Sequence, residues 1–341
     1  MTRNRPKTTN GLMKYLRERK HILIKGSNQK KQLLNMGYYH AYKGYRYINS
    51  PQNQVTYHDF KELYAVYQFD IELKTIFYPK VMFIETALKN HVLDIVLKLA
   101  GTGDFSIIYT KILDNYRDFS TSGRRYRTGR ERTRAEREFK NQIKRRLNLR
   151  NTIYKTQTRE YIQNNRIACH FLENGQNIPI WGIFELLTLG DFGYFVSCMN
   201  QNSRTKISEA LKIRQNDDTS ASLPQQLIFA IKDLRNAIAH NDVVFDNRFQ
   251  SNRINNHLKH ALENDTNIVD IQFDTVIDYV ILIVYVAKHL SISKIELKNF
   301  VSDFENSVNK LKSSISNEIF SKIFHNDYNR KINGIKNYIE N

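Results

Sequence analysis

Residues 222–240 read Ser222-Leu-Pro-Gln-Gln-Leu-Ile-Phe-Ala-Ile-Lys-Asp-Leu-Arg-Asn-Ala-Ile-Ala-His240. Leu227, Ile228, Ile231, Leu234 and Ile238 recur at the spacing of one helical face, which predicts a helix with a buried side. Ser222 suits its N-cap and Pro224 its first turn. No stretch of the chain sustains the two-residue alternation of a half-buried strand, so the fold class is all-α.

Upstream, Leu63, Val66, Tyr67, Ile71, Phe77, Val81 and Ile84 predict a long helix that starts at Thr56 or Asp59 and stops at Gly101-Thr102-Gly103. Pro79 should kink or divide it. Residues 120–132 read as a loop rich in Ser, Thr, Gly and Arg. A helix follows from about Thr133, with Phe139, Ile143 and Leu147 as a thin apolar stripe. Pro179 opens another helix, in which Trp181, the single tryptophan, is expected in the core. Beyond residue 240 the pattern gives a short helix within 241–267, then helices over about 274–290 and 294–313. By domain, residues 1–50 form a basic N-terminal helical region. Residues 51–341 form the main helical domain, with 120–165 a basic loop-helix insertion.

The charge is concentrated. The net +18 falls almost wholly in residues 1–50, which sum to +11, and residues 120–150, which sum to +9. Two basic zones on a nearly neutral body suit a polyanionic partner, and nucleic acid is the expected one. The alternatives are a solvated helix face and an anionic membrane surface. The longest apolar run, residues 279–287, is too short to span a bilayer, and the basic zones have no strong apolar anchor. The two cysteines make neither a disulfide framework nor a metal cluster, so a cytoplasmic protein without a metal or other cofactor is expected.

In the first zone, Gly37-Tyr38-Tyr39-His40-Ala41-Tyr42-Lys43-Gly44-Tyr45-Arg46-Tyr47 interleaves five tyrosines with cations. Such rings can stack on unpaired bases while Lys43 and Arg46 meet phosphate, or they can pack between helices. In the second zone Arg124, Arg125, Arg137, Lys140, Lys144, Arg145 and Arg146 are candidates for tracking an RNA backbone.

Arg235, Asn236 and His240 close the helix of the opening stretch. A guanidinium, an amide and an imidazole suit RNA cleavage without a metal, because the ribose 2′-hydroxyl supplies the nucleophile, although Arg-x4-His alone is a common pattern. On an ideal helix Asn236 and His240 lie about 40° apart, whereas Arg235 and His240 lie about 140° apart. Either the last turn loosens, or a second copy in a two-fold dimer completes the site. A pair at His257 and His260 has the spacing of metal ligands but no accompanying acidic or thiol cluster.

The segment Arg235–His240 resembles the catalytic motif of HEPN ribonucleases. More closely, the chain resembles the Abi-like (AbiD/AbiF) abortive-infection family. The resemblance rests on Gly37-Tyr38-Tyr39 with Gly44-Tyr45, on Phe83-Ile84-Glu85 with Leu88, and on Ile178-Pro179-Ile180-Trp181 with Glu185 and Gly190. The fourth piece is Leu234-Arg235-Asn236 with Ala239-His240. The four occur in the family's order over roughly residues 30–290. His40 departs from an expected arginine, with Lys43 as its candidate substitute, and Asn241-Asp242 departs after the histidine. The resemblance implies a HEPN-like helical bundle and a phage-defence endoribonuclease, partnered by RNA that includes a small structured non-coding RNA. It implies Arg235, Asn236 and His240 as catalytic residues, with Glu85 orienting Arg235 or serving only as a surface carboxylate. A homodimer is expected from the separation of Arg235 and His240 on one helix. The rival reading is a non-catalytic RNA-binding protein that uses the fold only to hold RNA.

Overall fold

The computed structural model describes residues 7–37, 42–213 and 218–341. Tyr38, Tyr39 and His40 lie outside them. Among the described residues there are fifteen α-helices and no strand. In chain order they are α1 (Thr9–Lys20), α2 (Gly26–Met36), α3 (Phe60–Ala100), α4 (Phe105–Lys111) and α5 (Gly129–Ile162). Next come α6 (Arg166–Glu173), α7 (Ile180–Leu186), α8 (Leu189–Cys198), α9 (Gln201–Ala210) and α10 (Leu223–Ala239). The last are α11 (Asn256–Thr266), α12 (Val276–His289), α13 (Lys294–Lys312), α14 (Asn317–Ile323) and α15 (Tyr328–Glu340). Pro79 does not divide α3, which runs 41 residues without a break.

Two compact units are present, and each is discontinuous in sequence. The first holds Met1–Met82, Asp233–Ile254 and Leu262–Asn341, and the second holds Phe83–Lys232 and Asn255–Ala261. Residues 1–50 therefore belong with α13 and α15 in one unit, and residues 120–165 lie in the other.

The core of the first unit is α12, whose residues from Val276 to Ala287 are all buried. A helix apolar on every side must be enclosed by others, and α13 and α15 pack against it. Phe77 of α3 packs against Phe300 and Phe304 of α13, at ring separations of 6.0 and 6.4 Å. Helices α14 and α15 extend this unit past the end expected from sequence. Ile332, Ile335 and Ile339 supply the buried stripe of α15 at three- and four-residue spacing. Two ion pairs fix that helix from inside: the buried Lys331 ammonium lies 2.7 Å from Asp278 of α12 and 2.9 Å from Asp327.

In the second unit α5 lies against α6, α7 and α8. It begins at Gly129, four residues before the expected start. Thr128 accepts the Glu131 N–H, and Glu131 in turn accepts the Arg127 N–H, which together close the first turn. The buried edge also differs from expectation. Leu147 is exposed, and the inward residues are Gln142, Leu149, Ile153 and Thr156. Their spacing is helical, but half of them are polar, so a stripe read from apolar residues alone misses it.

Trp181 is a second correction, with 47% of its surface exposed. Ile180, Ile183, Phe184 and Leu187 take the inward face of α7 and leave position 181 outside. Its ring lies over Gly103, where an added Cβ would come within 2.3 Å of Trp Cζ3, so any larger residue there would have to displace the indole.

Candidate functional site

Helix α10 delivers Arg235, Asn236 and His240 to the surface of the first unit. Leu234, Ala237 and Ile238 are buried and fix its rotation, while Arg235 and Asn236 are half-buried and His240 is exposed. The Arg235 guanidinium donates to the Asn236 amide oxygen at 3.3 Å, so two of the three groups already touch. The His240 N–H donates to the Asn236 carbonyl at 2.9 Å, an ordinary α-helical bond. The last turn is therefore not loosened, and regular helix geometry separates Arg235 from His240 around the axis.

The helix stops immediately afterwards, by a mechanism that accounts for Asn241-Asp242. Asn241 has a φ of 57°, in the left-handed region. Its N–H donates to Ile238 at 3.2 Å, and that of Asp242 donates to Ala237 at 2.8 Å. This is the two-bond Schellman ending, in which asparagine is a common substitute for glycine. The departure from the family pattern thus places a good helix terminator directly behind the histidine.

A buried polar cluster anchors that ending. Asp70 of α3 is fully buried, and its Oδ1 accepts the N–H groups of Val244 and Phe245 at 2.7 and 2.8 Å. Its Oδ2 accepts the Tyr45 hydroxyl at 3.0 Å and pairs with the Lys74 ammonium at 2.8 Å. Lys74 also donates to the Asn241 side-chain oxygen at 2.8 Å. All four acceptor positions of the carboxylate are filled, and one chain of contacts runs from α3 to the residue next to His240. Burial first, and Asp70 second, push the Tyr45 hydroxyl well above the ordinary phenol range, so it stays a donor. Further along, Arg248 pairs with Asp246 at 2.9 Å and lies over the Tyr47 ring at 4.1 Å. Tyr45 and Tyr47 therefore pack within the fold.

Asp70 and Lys74 were not singled out from sequence. The available signal was a charged pair four residues apart on the same stripe as Val66, Leu73 and Phe77, a placement that isolated charges do not tolerate.

The other candidates fall in several places. Glu85 belongs to the second unit and lies 3.2 Å from Lys89, which donates to the Leu187 carbonyl. Lys43 is half-buried and Arg46 exposed, both in the first unit. In the second unit Arg125, Arg137, Lys140, Lys144 and Arg145 are exposed, and Arg124 donates to the Asp118 carbonyl at 2.6 Å.

Arg146 is different. Its guanidinium donates to the carbonyls of Leu113 and Tyr109 at 2.6 and 2.7 Å and stacks 3.8 Å from the Tyr109 ring. It closes the end of α4, a packing role that the expectation of an RNA contact does not include. Arg146→Gln is expected to lower stability by about 1–3 kcal/mol, because both carbonyls lose a charged donor. Urea denaturation measures this, and an unchanged midpoint would return Arg146 to the surface candidates.

Among the described residues no group of three His, Cys, Asp or Glu could hold a metal ion, and His257 lies 3.8 Å from Asp218. No helix among them is long and apolar enough to cross a membrane.

A family model described as Abi-like protein matches residues 31–246, well over half of the chain. The chain belongs to the Abi-like protein family. The match covers α3, α5 and the whole of the Arg235–His240 segment, and ends at Asp246 beside the Asp70 cluster. Membership in the Abi-like family suggests a part in abortive infection, a defence against phage. No curated protein and no solved structure matches this Abi-like chain.

Proposed function

We propose that this protein is a metal-independent endoribonuclease of phage defence, with Arg235, Asn236 and His240 as its catalytic residues. The observation that carries the reading is the placement of an exposed imidazole at a helix end that a buried network holds fixed. In the reaction His240 takes the proton of a ribose 2′-hydroxyl, whose oxygen attacks the adjacent phosphorus. The bond from phosphorus to the 5′-oxygen breaks, and that oxygen receives the proton from the imidazolium. A 2′,3′-cyclic phosphate and a 5′-hydroxyl result. Arg235 holds the non-bridging oxygens as charge builds on them, and Asn236 sets the guanidinium or the ribose in place.

The undistorted last turn supports a composite site, in which two copies related by a two-fold axis each contribute part of an Arg–His pair. The exposed cations of residues 120–150 supply a backbone-binding surface for substrate or for a structured non-coding RNA.

The rival is an RNA-binding protein without catalysis. It draws on the position of His240 at a helix C-terminus, where a cation is favoured by the helix dipole whatever its chemistry. Incubating purified protein with mixed RNA in excess EDTA separates the two. The nuclease reading expects cleavage with cyclic phosphate ends, and intact RNA would leave the binding protein.

A further inference from the structure

A groove runs between α5 and α8 in the second unit. It encloses about 410 Å³, within the range of small-ligand sites. One wall is α5, with Lys144, Asn148 and Thr152 at successive turns and Arg145 beside Lys144. The other wall carries Asp191 and Tyr194 from α8. This combination is unusual for a surface that only tracks phosphate. Lys144 and Arg145 are exposed cations, and Tyr194 offers an aromatic ring with half of its surface open. Phe229 braces that ring edge-on at 5.3 Å, which holds it without covering both faces. Asp191 is a carboxylate in a groove that otherwise selects anions. Against bare phosphate it would only repel.

Those features fit a nucleotide whose parts meet different walls. We propose that the α5–α8 groove takes one unpaired guanine of single-stranded RNA, a proposal that rests on the RNA-binding reading above. The base stacks on Tyr194 and its phosphate meets Lys144 and Arg145. The Watson–Crick edge of guanine presents two adjacent N–H donors, which a carboxylate accepts together. Adenine and cytosine present one exocyclic amine and a ring acceptor, and uracil presents one donor between two acceptors, so Asp191 selects guanine. Thr188 donates to Asp191 Oδ2 at 2.7 Å and fixes the carboxylate, and each of its oxygens retains a lone pair for the base. The chemistry of RNA cleavage does not require this groove. It sets which RNA is held.

The test uses fluorescein-labelled 2′-O-methyl dodecamers, which lack the nucleophile and cannot be cut. One is all uridine, one carries a single central guanine, and one a single central adenine. Anisotropy with the full-length protein is expected to show the guanine oligomer bound roughly tenfold more tightly than the other two. Asp191→Asn should bring all three to equal affinity. Tyr194→Ala should weaken every oligomer, and Tyr194→Phe should restore binding, since the ring and not the hydroxyl stacks. Circular dichroism of each variant controls for folding, and the wild-type preference does not depend on any variant. Binding by the wild type with no base preference would overturn the guanine pocket and leave the RNA reading standing. So would a preference that survives in folded Asp191→Asn. No binding to any oligomer would overturn both.

Discussion

Replacing His240 with alanine is expected to reduce RNA cleavage by about 10²–10⁴-fold, the range over which a positioned general acid–base acts. The imidazole is exposed and its backbone bond to Asn236 does not involve the side chain, so the fold should be unaffected. A surface change of this kind shifts stability by about 0.5 kcal/mol or less. RNA affinity should also hold, because the exposed cations of residues 120–150 are untouched. The measurement is the single-turnover rate of a labelled RNA in EDTA, with thermal melting alongside. If the site is composite, mixing Arg235→Ala and His240→Ala chains should recover part of the activity, since mixed pairs contain one intact site. A purified, folded His240→Ala protein that cuts at the wild-type rate would remove the histidine from the chemistry.

Much of this arrangement was legible in the sequence, for identifiable physical reasons. The face of α10 was plain because Leu227, Ile231, Leu234 and Ile238 repeat without interruption and are all buried. Helices α12 and α13 lie within two residues of their expected ends, since apolar content and the Ser293 cap mark them clearly. Errors arose where polar residues do the packing. The inner edge of α5 runs through Gln142 and Thr156, and Arg146 binds carbonyls there, so counting apolar residues finds only the margin of the packed face, where Phe139 and Ile143 are half-buried and Leu147 is exposed. Residue type alone places Trp181 in the core. Its neighbours at Ile180 and Ile183 had already claimed the inward face. The support beneath the site was least legible of all. It joins Tyr45, Asp70 and Asn241, which are far apart in sequence, and no local pattern relates residues that meet only in three dimensions.

That support carries a large expected effect on stability. Asp70→Ala removes the acceptor of two buried N–H groups and a buried hydroxyl, and it leaves the Lys74 ammonium largely enclosed without its counter-charge. Breaking a buried ion pair from one side costs about 3–5 kcal/mol. Domains of ordinary stability have about 5–15 kcal/mol in all, so the variant should unfold at much lower urea or not fold at all. Asp70→Ala combined with Lys74→Met should recover part of the loss, because the stranded charge is gone while the N–H groups stay unpaired. The double variant therefore remains measurable if the single one is not. In it, amide hydrogen exchange at Val244 and Phe245 should accelerate well beyond that of the α12 core, since their acceptor has been deleted. Cleavage should fall with it although His240 is intact, because the helix end has lost the bond from Lys74 to Asn241. A double variant with wild-type exchange at Val244 and Phe245 and full cleavage would mean that the Schellman turn alone holds the histidine. The buried cluster would then serve stability without positioning the site.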